Sequence, residues 1–529
     1  MVQQSSPPAE AQARASARRP AIGGVMYASV GLIAVFVLWA SISPESLGSA
    51  MGSSMAWVAE TIGWSYLVVP LLCIGLLVYL FFSRYADVRL GSDDARPEYS
   101  TWSWLAMILA AVMGIGLVSY GVAEPISHFM APPHGLAEPE TMDAAVRALQ
   151  FSYFDWGPHA WAVFGVFGLA IGYSTHRKGR PGLVSPMLRP VLGRLVDGWF
   201  GKAIDVFAVI ATLFGTTTSL GLGASQINEG LARTFGLPSG LSMQIVIIAV
   251  ITVLFTVSAL TGVSRGIKYI SQTTMAASMI MALFVLFAGP TNFVTNLFFR
   301  SVGRYFNDFF AMSLTTPTTP ADMEWMQWWT YFMMAWWLSW GAFVGIFLAK
   351  ISRGRTIRQF VAGTLGVPTL VFFAWFAIFG GSAINFDLQG AGIGAATTEN
   401  INSAFFSLLD QLPLTHFMSI VTVLLVVLFF ISGADSNTFV LSTLSSNGDL
   451  NPRKPVLTLW GGLTGLCAVL LLIVGGLNAL QQAAMLSALP FTIIVGLLGI
   501  SLVIELRQDP EFKLLRRARL RELVARDQD

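Results

Sequence analysis

Three tryptophans near the middle of one apolar segment are the strongest chemical signal in this sequence. Trp336, Trp337 and Trp340 lie in a run, roughly residues 324–349, that is long enough to cross a bilayer at ~20 residues per span. Tryptophan in membrane proteins usually gathers at the two interfaces, so a cluster at mid-depth needs another explanation. Trp336 and Trp340 share a helix face, and indole faces attract cations, quaternary ammonium groups above all. The segment therefore predicts an aromatic box, with simple space filling between helices as the alternative.

A second aromatic group occurs in the stretch DWGPHAWAVFG. On a helical wheel Trp156, Trp161 and Phe164 fall within an arc of ~140°, which predicts that the three rings face one cavity. Interfacial anchoring is the alternative for Trp156, which lies near the end of its segment. Asp155 beside it is a candidate intramembrane acid, although a solvated position at the segment end is the other interpretation.

Oxygen-bearing side chains are dense in the stretch ATLFGTTTSLGLGASQIN. Thr212 and Thr216 lie one turn apart on one helix face, and hydroxyl and carbonyl oxygens suit a hard cation such as Na⁺. The alternative is that these hydroxyls bond back to their own helix or join two helices. Asp435, in LFFISGADSNTF, is another candidate acid, unless it only caps the next segment.

The glycines of AAVMGIGLVSYG permit two interpretations. Gly114, Gly116 and Gly121 allow close packing of helices, or they mark a helix that is interrupted at membrane depth. An interruption is tolerated there only where the freed backbone lines a cavity or contacts a bound group.

The composition indicates the class of protein in which these residues occur. Of 529 residues 54% are hydrophobic and 11% charged, and the mean hydropathy is +0.66, which indicates an all-α polytopic membrane protein. Apolar runs of ~17–25 residues predict twelve transmembrane helices. They lie approximately at 25–43, 62–83, 102–123, 150–174, 204–229, 241–260, 270–289, 325–349, 359–380, 415–436, 455–477 and 483–505.

The distribution of basic residues predicts the topology. With both termini cytoplasmic, all but four of the 31 Lys and Arg residues lie on the inner side, the exceptions being Arg147, Arg233, Arg300 and Arg304. Two cysteines in apolar spans suggest neither a disulfide framework nor a thiolate metal site. A net charge of +2 gives no indication of a nucleic-acid partner, and we find no cleavable signal peptide.

These patterns divide the chain into six parts. They are a disordered cytoplasmic N-tail (1–24), two peripheral transmembrane helices (25–101), a first group of five spans (102–290), an external amphipathic helix with a linker (291–324), a second group of five spans (325–506) and a basic cytoplasmic C-tail (507–529). The C-tail could contact anionic lipid.

Four stretches of the chain resemble the betaine/choline/carnitine transporter family, and the similarity covers essentially spans 3–12. They are MGIGLVSYGVAEP, WGPHAWAVF, TLFGTTTSLGLGA and WWLSWGAFVGIFLAKISRGRTIR, of which the last is highly specific. The resemblance implies a leucine-transporter-type fold of inverted repeats, in which two five-helix units, spans 3–7 and 8–12, follow two extra N-terminal helices. It also implies a homotrimer and secondary transport.

The resemblance assigns roles to residues by matching position. The trimethylammonium pocket would comprise Trp156, Trp161, Phe164, Trp336, Trp337 and Trp340, and the other end of the substrate would meet Met113, Gly114 and Gly116. One Na⁺ would lie near Ala110, Met113, Phe429 and Ser432, and a second near Thr212, Thr216 and Phe343.

Some positions depart from the family pattern. Val112 stands where a glycine is usual, Phe164 where tyrosine is frequent, and Met333–Met334 where an aromatic pair is usual. Ser432–Gly433 replace a common Thr-Ser, which removes one hydroxyl from the first ion site. Sodium-independent exchangers of the family carry an arginine in span 7, whereas residues 269–299 of this chain contain no Lys or Arg.

The sequence therefore predicts a Na⁺-coupled symporter of a bacterial inner membrane that imports a zwitterion with a quaternary ammonium or sulfonium head, such as glycine betaine. Na⁺ is the coupling ion and no other cofactor is expected. The alternatives are a sodium-independent antiporter of the carnitine type, a proton-coupled choline transporter, a channel and an enzyme. An enzyme would need a clustered acid/base or metal set, whereas the five histidines are dispersed along the chain.

Overall fold

The computed structural model describes residues 23–112, 114–261, 264–449 and 451–509, with side chains except at 110–112 and 264–271. Three of the sequence expectations therefore lie wholly or mainly outside the described residues: the N-tail, Met113 and the C-tail beyond residue 509. Ala110 and Val112 are described only as backbone.

The described residues are almost entirely helical, with one isolated β-bridge between Arg89 and Thr356. This is expected in lipid, because a helix satisfies every backbone N–H and C=O within its own segment. The α-helices are α1 (Gly24–Ile42), α2 (Pro44–Ile62), α3 (Ser65–Phe82), α4 (Thr101–Val112), α5 (Ile115–Met130), α6 (Met142–Trp156), α7 (Pro158–Gly172), α8 (Arg189–Leu192), α9 (Trp199–Phe235), α10 (Leu241–Thr261), α11 (Ser264–Ala288), α12 (Thr291–Ser313), α13 (Pro320–Trp328), α14 (Thr330–Ile351), α15 (Ile357–Val361), α16 (Val367–Leu388), α17 (Ile393–Glu399), α18 (Ala404–Leu409), α19 (Thr415–Ser445) and α20 (Lys454–Gln508).

Among the described residues, eight helical segments are long and apolar enough to cross a membrane, or nine if the bent pair α11–α12 forms one span. The axes of that pair differ by 108°. The last helix, α20, covers two segments that the sequence predicts separately, and it changes direction at Gly475–Gly476. Gly476 has φ 59°, a left-handed conformation that glycine adopts without steric cost. The chain is thus a multi-pass membrane protein.

Two interruptions lie within segments that the sequence predicts as spans. Gly114 is extended (φ −144°, ψ −154°) and separates α4 from α5, which agrees with the interpretation of the glycine-rich segment as an interrupted helix. Gly157 (φ −92°, ψ −134°) separates α6 from α7. A single helix over 150–174 is therefore wrong, and so is the helical wheel that placed Trp156 and Trp161 on one face.

The core lies around α9 and α14. In the most apolar stretch of α9, 89% of the residues are buried, against 28% in α1 and 33% in α3, so the first two predicted spans are peripheral. Helix α14 packs against α7 at Gly341 and Gly345, where an added Cβ would lie 2.2 and 2.5 Å from atoms of Phe167. Glycines at these positions let the two helices approach closely.

An ion-pair cluster connects the C-terminal end of α20 with two loops at one end of the bundle. Arg177, which follows α7, donates from Nε and Nη2 to the two carboxylate oxygens of Asp509 at 2.6 and 2.9 Å, and from Nη1 to Asp93 at 2.7 Å. Tyr173 donates to the same Asp509 carboxylate at 2.5 Å. Because the Asp509 side chain is fully buried, this bidentate pair holds the end of α20 in place.

Replacing Arg177 by glutamine is expected to destabilise the fold by on the order of 3 kcal/mol, because the buried Asp509 carboxylate then loses its bidentate cation and retains the more distant Lys178 at 4.0 Å. Burial alone would raise the pKa of Asp509, but hydrogen bonds from Arg177 and Tyr173 outweigh it and hold that pKa below its usual range. The stabilisation is therefore complete above the unfolded pKa of about 3.9 and is lost as the pH falls through the lower folded pKa. Thermal unfolding of the purified protein at neutral and acidic pH measures both effects.

The matched control for that experiment is Arg189→Gln. Arg189 pairs with Asp197 at the surface, where both side chains are about half exposed, and such pairs contribute ~0–1 kcal/mol. Equal melting temperatures for the Arg177 and Arg189 variants at neutral pH would contradict a structural role for the buried pair.

Candidate substrate and ion site

A cavity lies between α5, α9, α14 and α19, next to the interruption at Gly114. The space between its lining atoms, including the part that is continuous with solvent, amounts to about 790 Å³. The described lining residues carry no formal charge. They are Gly114, Ile115, Gly116, Trp156, Thr216, Ser219, Leu220, Thr274, Trp336, Trp337, Trp340, Phe343, Phe429, Phe430, Ser432, Gly433, Ala434 and Asn437.

Four of the predicted tryptophans form walls of this cavity that face in different directions. The rings of Trp336 and Trp337 are stacked, with centroids 5.2 Å apart and planes at 18°. Trp156 stands nearly perpendicular to both, at 84° to Trp336 and 71° to Trp337. Trp340 lies 6.0 Å from Trp336 at 69°. Ring faces in several orientations around one space can surround a cationic head, which a single stack cannot do.

Hydrogen bonds hold three of these four indoles in place. Trp336 Nε1 donates to the carbonyl of Gly215 at 3.2 Å, and Trp337 Nε1 donates to the carbonyl of Asp155 at 2.7 Å. Trp156 Nε1 donates to Glu124 Oε2 at 2.6 Å. The fourth differs, because Trp340 Nε1 is buried without an acceptor among the described residues. A donor in that state is available to a bound anionic group.

Two glycines make room for the box. A Cβ on Gly116 would lie 2.9 Å from the ring of Trp156 and 3.1 Å from the ring of Trp336. A Cβ on Gly215 would lie 2.5 Å from Ser339 Oγ and 2.6 Å from Trp340 Cδ1. Helices α5 and α9 can therefore approach the tryptophans of α14 only with glycine at these positions.

Trp161 and Phe164 do not line the cavity. Both are fully buried behind it, where Trp161 contacts Phe164 and Phe372 at centroid distances of 5.8 and 5.7 Å. Phe164 lies 6.1 Å from Trp337, one of the wall residues. The interruption at Gly157 gives α7 a course different from that of α6, which is why Trp156 reaches the cavity and the other two support its wall.

The residues assigned to two ion positions lie on different walls. Phe429 and Ser432 line the cavity on α19, opposite Gly114, and their assigned partners Ala110 and Met113 lie outside the described side chains. On α9 Thr216 Oγ1 donates to the Thr212 carbonyl at 2.9 Å, as the helix-bonding alternative anticipated.

The Thr212 hydroxyl, in contrast, is buried without a partner among the described residues. Asn437 of α19 faces it, with Nδ2 3.5 Å from the Thr212 carbonyl and Oδ1 unpaired. Together with Thr216 and Phe343, both of which line the cavity, these oxygens form a region in which a hard cation could be bound. Asn437 was missed in the sequence, where nothing distinguishes it from other polar residues of its span.

Two alternative interpretations of acidic residues are wrong. Asp155 is not solvated, because its side chain is fully buried. Asp435 does not cap a following segment, because α19 continues to Ser445 and the Asp435 carboxylate accepts a hydrogen bond from Ser258 at 2.7 Å.

The third correction concerns the expectation that the chain has no clustered set of acid/base or metal-binding side chains. Although the histidines are dispersed in sequence, His128 lies with Glu124 and Asp155 in one buried group whose ligand atoms are all within 4.8 Å of one another. The sequence carries a weak signal for it, since Glu124 and His128 are one helical turn apart in the stretch EPISH.

Comparisons with known proteins identify the family of this chain. The model of the betaine/carnitine/choline family of transporters matches residues 24–511. The chain is 46% identical to the glycine betaine transporter OpuD of Bacillus subtilis, over 91% of this chain and 94% of that protein. It is 38% identical to an ectoine/hydroxyectoine transporter of Virgibacillus pantothenticus, over 90% and 94% of the two chains. It is 37% identical to the high-affinity choline transport protein of Escherichia coli, over 89% and 70%.

Proposed function

Since the chain belongs to the betaine/carnitine/choline transporter family, it is a transporter of quaternary ammonium compounds rather than an enzyme, and we propose that it imports a zwitterionic member of that class together with Na⁺. The observation that carries the choice of a zwitterion is the combination of an aromatic box with an unpaired donor. Trp156, Trp336 and Trp337 present ring faces to the cavity, and Trp340 adds a ring together with a free N–H.

The ammonium head binds against the ring faces, and the carboxylate accepts a hydrogen bond from Trp340 Nε1. The backbone next to Gly114, where the helix is interrupted, offers further donors to the carboxylate. No Asp, Glu, Lys or Arg is found among the described lining residues. A substrate without net charge suits such walls better than a bare cation, whose charge would remain uncompensated in a site of low dielectric.

Na⁺ binds at two places in this proposal. One lies at the helix interruption with Phe429 and Ser432, and the other lies between α9, α14 and α19 with Thr212, Thr216 and Phe343. Two observations support the assignment: the unpaired oxygens of Thr212 and Asn437, and the break in α4–α5 beside Ser432. A cation that binds in only one conformation shifts the equilibrium towards that conformation, which couples its gradient to the substrate.

The transport cycle follows from the architecture that we propose. Two inverted repeats, corresponding to spans 3–7 and 8–12, rock against each other and expose the cavity alternately to the two sides. The protein works as a homotrimer in the bacterial inner membrane, with both termini in the cytoplasm. The excess of basic residues on the proposed inner side supports this orientation.

Uptake of radiolabelled glycine betaine into proteoliposomes tests the proposal. We expect accumulation with an inward Na⁺ gradient and none when choline-free K⁺ buffer replaces Na⁺ outside. Equal uptake without Na⁺, accelerated by internal substrate, would instead indicate an antiporter. Uptake driven by a pH gradient alone would indicate proton coupling, and both results would contradict the sodium symporter.

A further prediction concerns Gly433, which stands where the family commonly has serine. A Cβ at Gly433 meets no atom within 4 Å, so a serine fits without displacing its neighbours. Because the new hydroxyl lies beside Ser432, Gly433→Ser is expected to lower the KM for Na⁺ about 5-fold, the equivalent of ~1 kcal/mol for one added oxygen ligand. The control is Gly433→Ala, which changes the backbone in the same way without adding an oxygen. An equal effect of both variants on the KM for Na⁺ would contradict the ion position.

A further inference from the structure

A buried group of ionisable side chains outside the substrate cavity has no role in the transport cycle described above. Glu124 and His128 project from one face of α5, and Asp155 is the penultimate residue of α6. All three side chains are fully buried. One ligand atom from each lies within 4.8 Å of the other two.

Most polar atoms of this group lack a hydrogen-bond partner among the described residues. These atoms are Glu124 Oε1, both carboxylate oxygens of Asp155 and both ring nitrogens of His128, although the hydroxyls of Thr330 and Ser152 lie near the Asp155 and Glu124 carboxylates respectively. His128 Nε2 lies 3.7 Å from Glu124 Oε1, which is too long for a hydrogen bond. Nor does any described Lys or Arg form an ion pair with either carboxylate. Unpaired buried polar atoms are rare in proteins, so five in one place point to a bound water or ion between them.

Protons alone do not satisfy these atoms. They would neutralise the two carboxylates, but a hydroxyl on Glu124 Oε1 would still be 3.7 Å from His128 Nε2, and each new O–H would need an acceptor of its own. A cation between the three side chains, in contrast, uses a lone pair from each at once. It also compensates the charge of two carboxylates that are otherwise buried at high cost.

The donor types select the kind of cation. Imidazole nitrogen together with carboxylate oxygen suits first-row transition metals and Zn²⁺, whereas Na⁺ and Mg²⁺ favour oxygen alone. With metal–ligand bonds of 2.0–2.1 Å, neighbouring ligands of a tetrahedral Zn²⁺ are separated by about 3.3 Å. The 3.7 Å between Glu124 Oε1 and His128 Nε2 is close to that separation, so small side-chain movements would complete the geometry. We therefore propose that Glu124, His128 and Asp155 form a binding site for a divalent cation of the Zn²⁺ class.

One neighbouring group orients the Glu124 side chain, and a second contacts the backbone of Asp155. Trp156 Nε1 donates to Glu124 Oε2 and so leaves Oε1 directed towards His128, and Trp337 Nε1 donates to the backbone carbonyl of Asp155. Outer hydrogen bonds of this kind fix the direction of ligand side chains in metal sites. Since both donors are walls of the aromatic box, the proposed metal and the substrate share two residues.

A partly exposed histidine is linked to this group through one aromatic ring. His134 and Asp322 form a partly exposed pair, 3.5 Å apart, at 14% and 15% side-chain exposure. The ring of Trp325 lies between the two histidines, 5.2 Å from His134 and 5.1 Å from His128. His134 therefore serves as a neighbouring histidine against which binding at His128 can be tested.

Metal binding on the purified full-length protein, carrying a tag without histidine, tests the proposal directly. After treatment with a chelator, the protein is titrated with Zn²⁺ in competition with a chromophoric chelator, and Co²⁺ serves as a spectroscopic probe. We expect one equivalent of Zn²⁺ and visible Co²⁺ bands of a four-coordinate site. His128→Asn and Asp155→Asn are each expected to weaken Zn²⁺ binding by more than ~100-fold, beyond the effect of losing an outer partner.

Two control variants identify which histidine binds. His416→Asn alters an exposed residue and is expected to leave the affinity unchanged. His134→Asn removes the partly exposed histidine and is expected to leave the stoichiometry of one Zn²⁺ unchanged. Loss of the metal in His134→Asn but not in His128→Asn would overturn the proposal, and so would a wild-type protein that takes up no Zn²⁺. The Co²⁺ spectrum of the wild type tests for the four-coordinate site even if a variant fails to fold.

A second measurement asks whether the site affects transport, and it rests on the proposed function. Because Trp156 joins Glu124 to the aromatic box, external Zn²⁺ is expected to inhibit uptake at the concentrations at which it binds. Binding without inhibition would confirm the metal site and limit it to a structural role. Absence of uptake in every condition would instead contradict the proposed function, while the binding result would stand independently.

Discussion

Replacing Trp340 by alanine is expected to raise the KM for glycine betaine about 300-fold, which would make uptake undetectable at ordinary substrate concentrations. Two contributions are lost together. A desolvated cation–π contact is worth ~2 kcal/mol, and a hydrogen bond from Nε1 to a carboxylate adds ~1.5 kcal/mol. Trp340 is the one tryptophan of the box whose N–H has no acceptor among the described residues, so it is the one that can contribute both.

Trp340→Phe separates these contributions. Phenylalanine keeps a ring face but has no N–H, so the KM for glycine betaine is expected to rise only about 10-fold. A substrate analogue without a carboxylate should bind the wild type and the Phe variant equally. Trp199→Ala is the control. Trp199 is the first residue of α9, is 79% exposed and is not among the residues that line the cavity. If Trp340→Ala retained normal substrate affinity, the aromatic box would be wrong.

Gly116 is the second position at which we expect a large effect. A methyl group there would lie 2.9 Å from the ring of Trp156 and 3.1 Å from the ring of Trp336, so both rings must move. Trp156 is held by its hydrogen bond to Glu124 and Trp336 by its hydrogen bond to Gly215, so neither ring moves freely. Overpacking of this kind costs typically ~1–3 kcal/mol, which corresponds to a loss of substrate affinity of roughly 5- to 150-fold for Gly116→Ala. Gly116→Leu is expected to abolish uptake.

The matched control is again Gly433→Ala. Gly433 lines the same cavity, but its added Cβ meets no atom within 4 Å, so the KM for glycine betaine is expected to stay within about 2-fold of the wild type. Uptake kinetics and direct substrate binding, for example by tryptophan fluorescence, report the two variants side by side. Normal substrate affinity in Gly116→Ala would show that the rings adapt, which would contradict a box held rigidly by hydrogen bonds.

The sequence alone was sufficient for those features that depend on local spacing and composition. Membrane class follows from the apolar content, because long uncharged runs have few other stable environments. Trp336 and Trp340 share a face because they are four residues apart on one helix, which holds wherever that helix lies. The family was also identified from short motifs, and the match over residues 24–511 confirms it.

Only the tertiary structure decided which residues meet across different elements. Trp156 reaches the cavity while Trp161 and Phe164 stand behind it, because the backbone at Gly157 leaves the helical course and no wheel describes both sides of such a break. Glu124, His128 and Asp155 come together because α5 and α6 pack against each other, and that contact has no counterpart in the spacing of one segment. The unpaired N–H of Trp340 is likewise decided by the tertiary structure. Whether a donor finds an acceptor depends on every neighbour that the fold brings within reach.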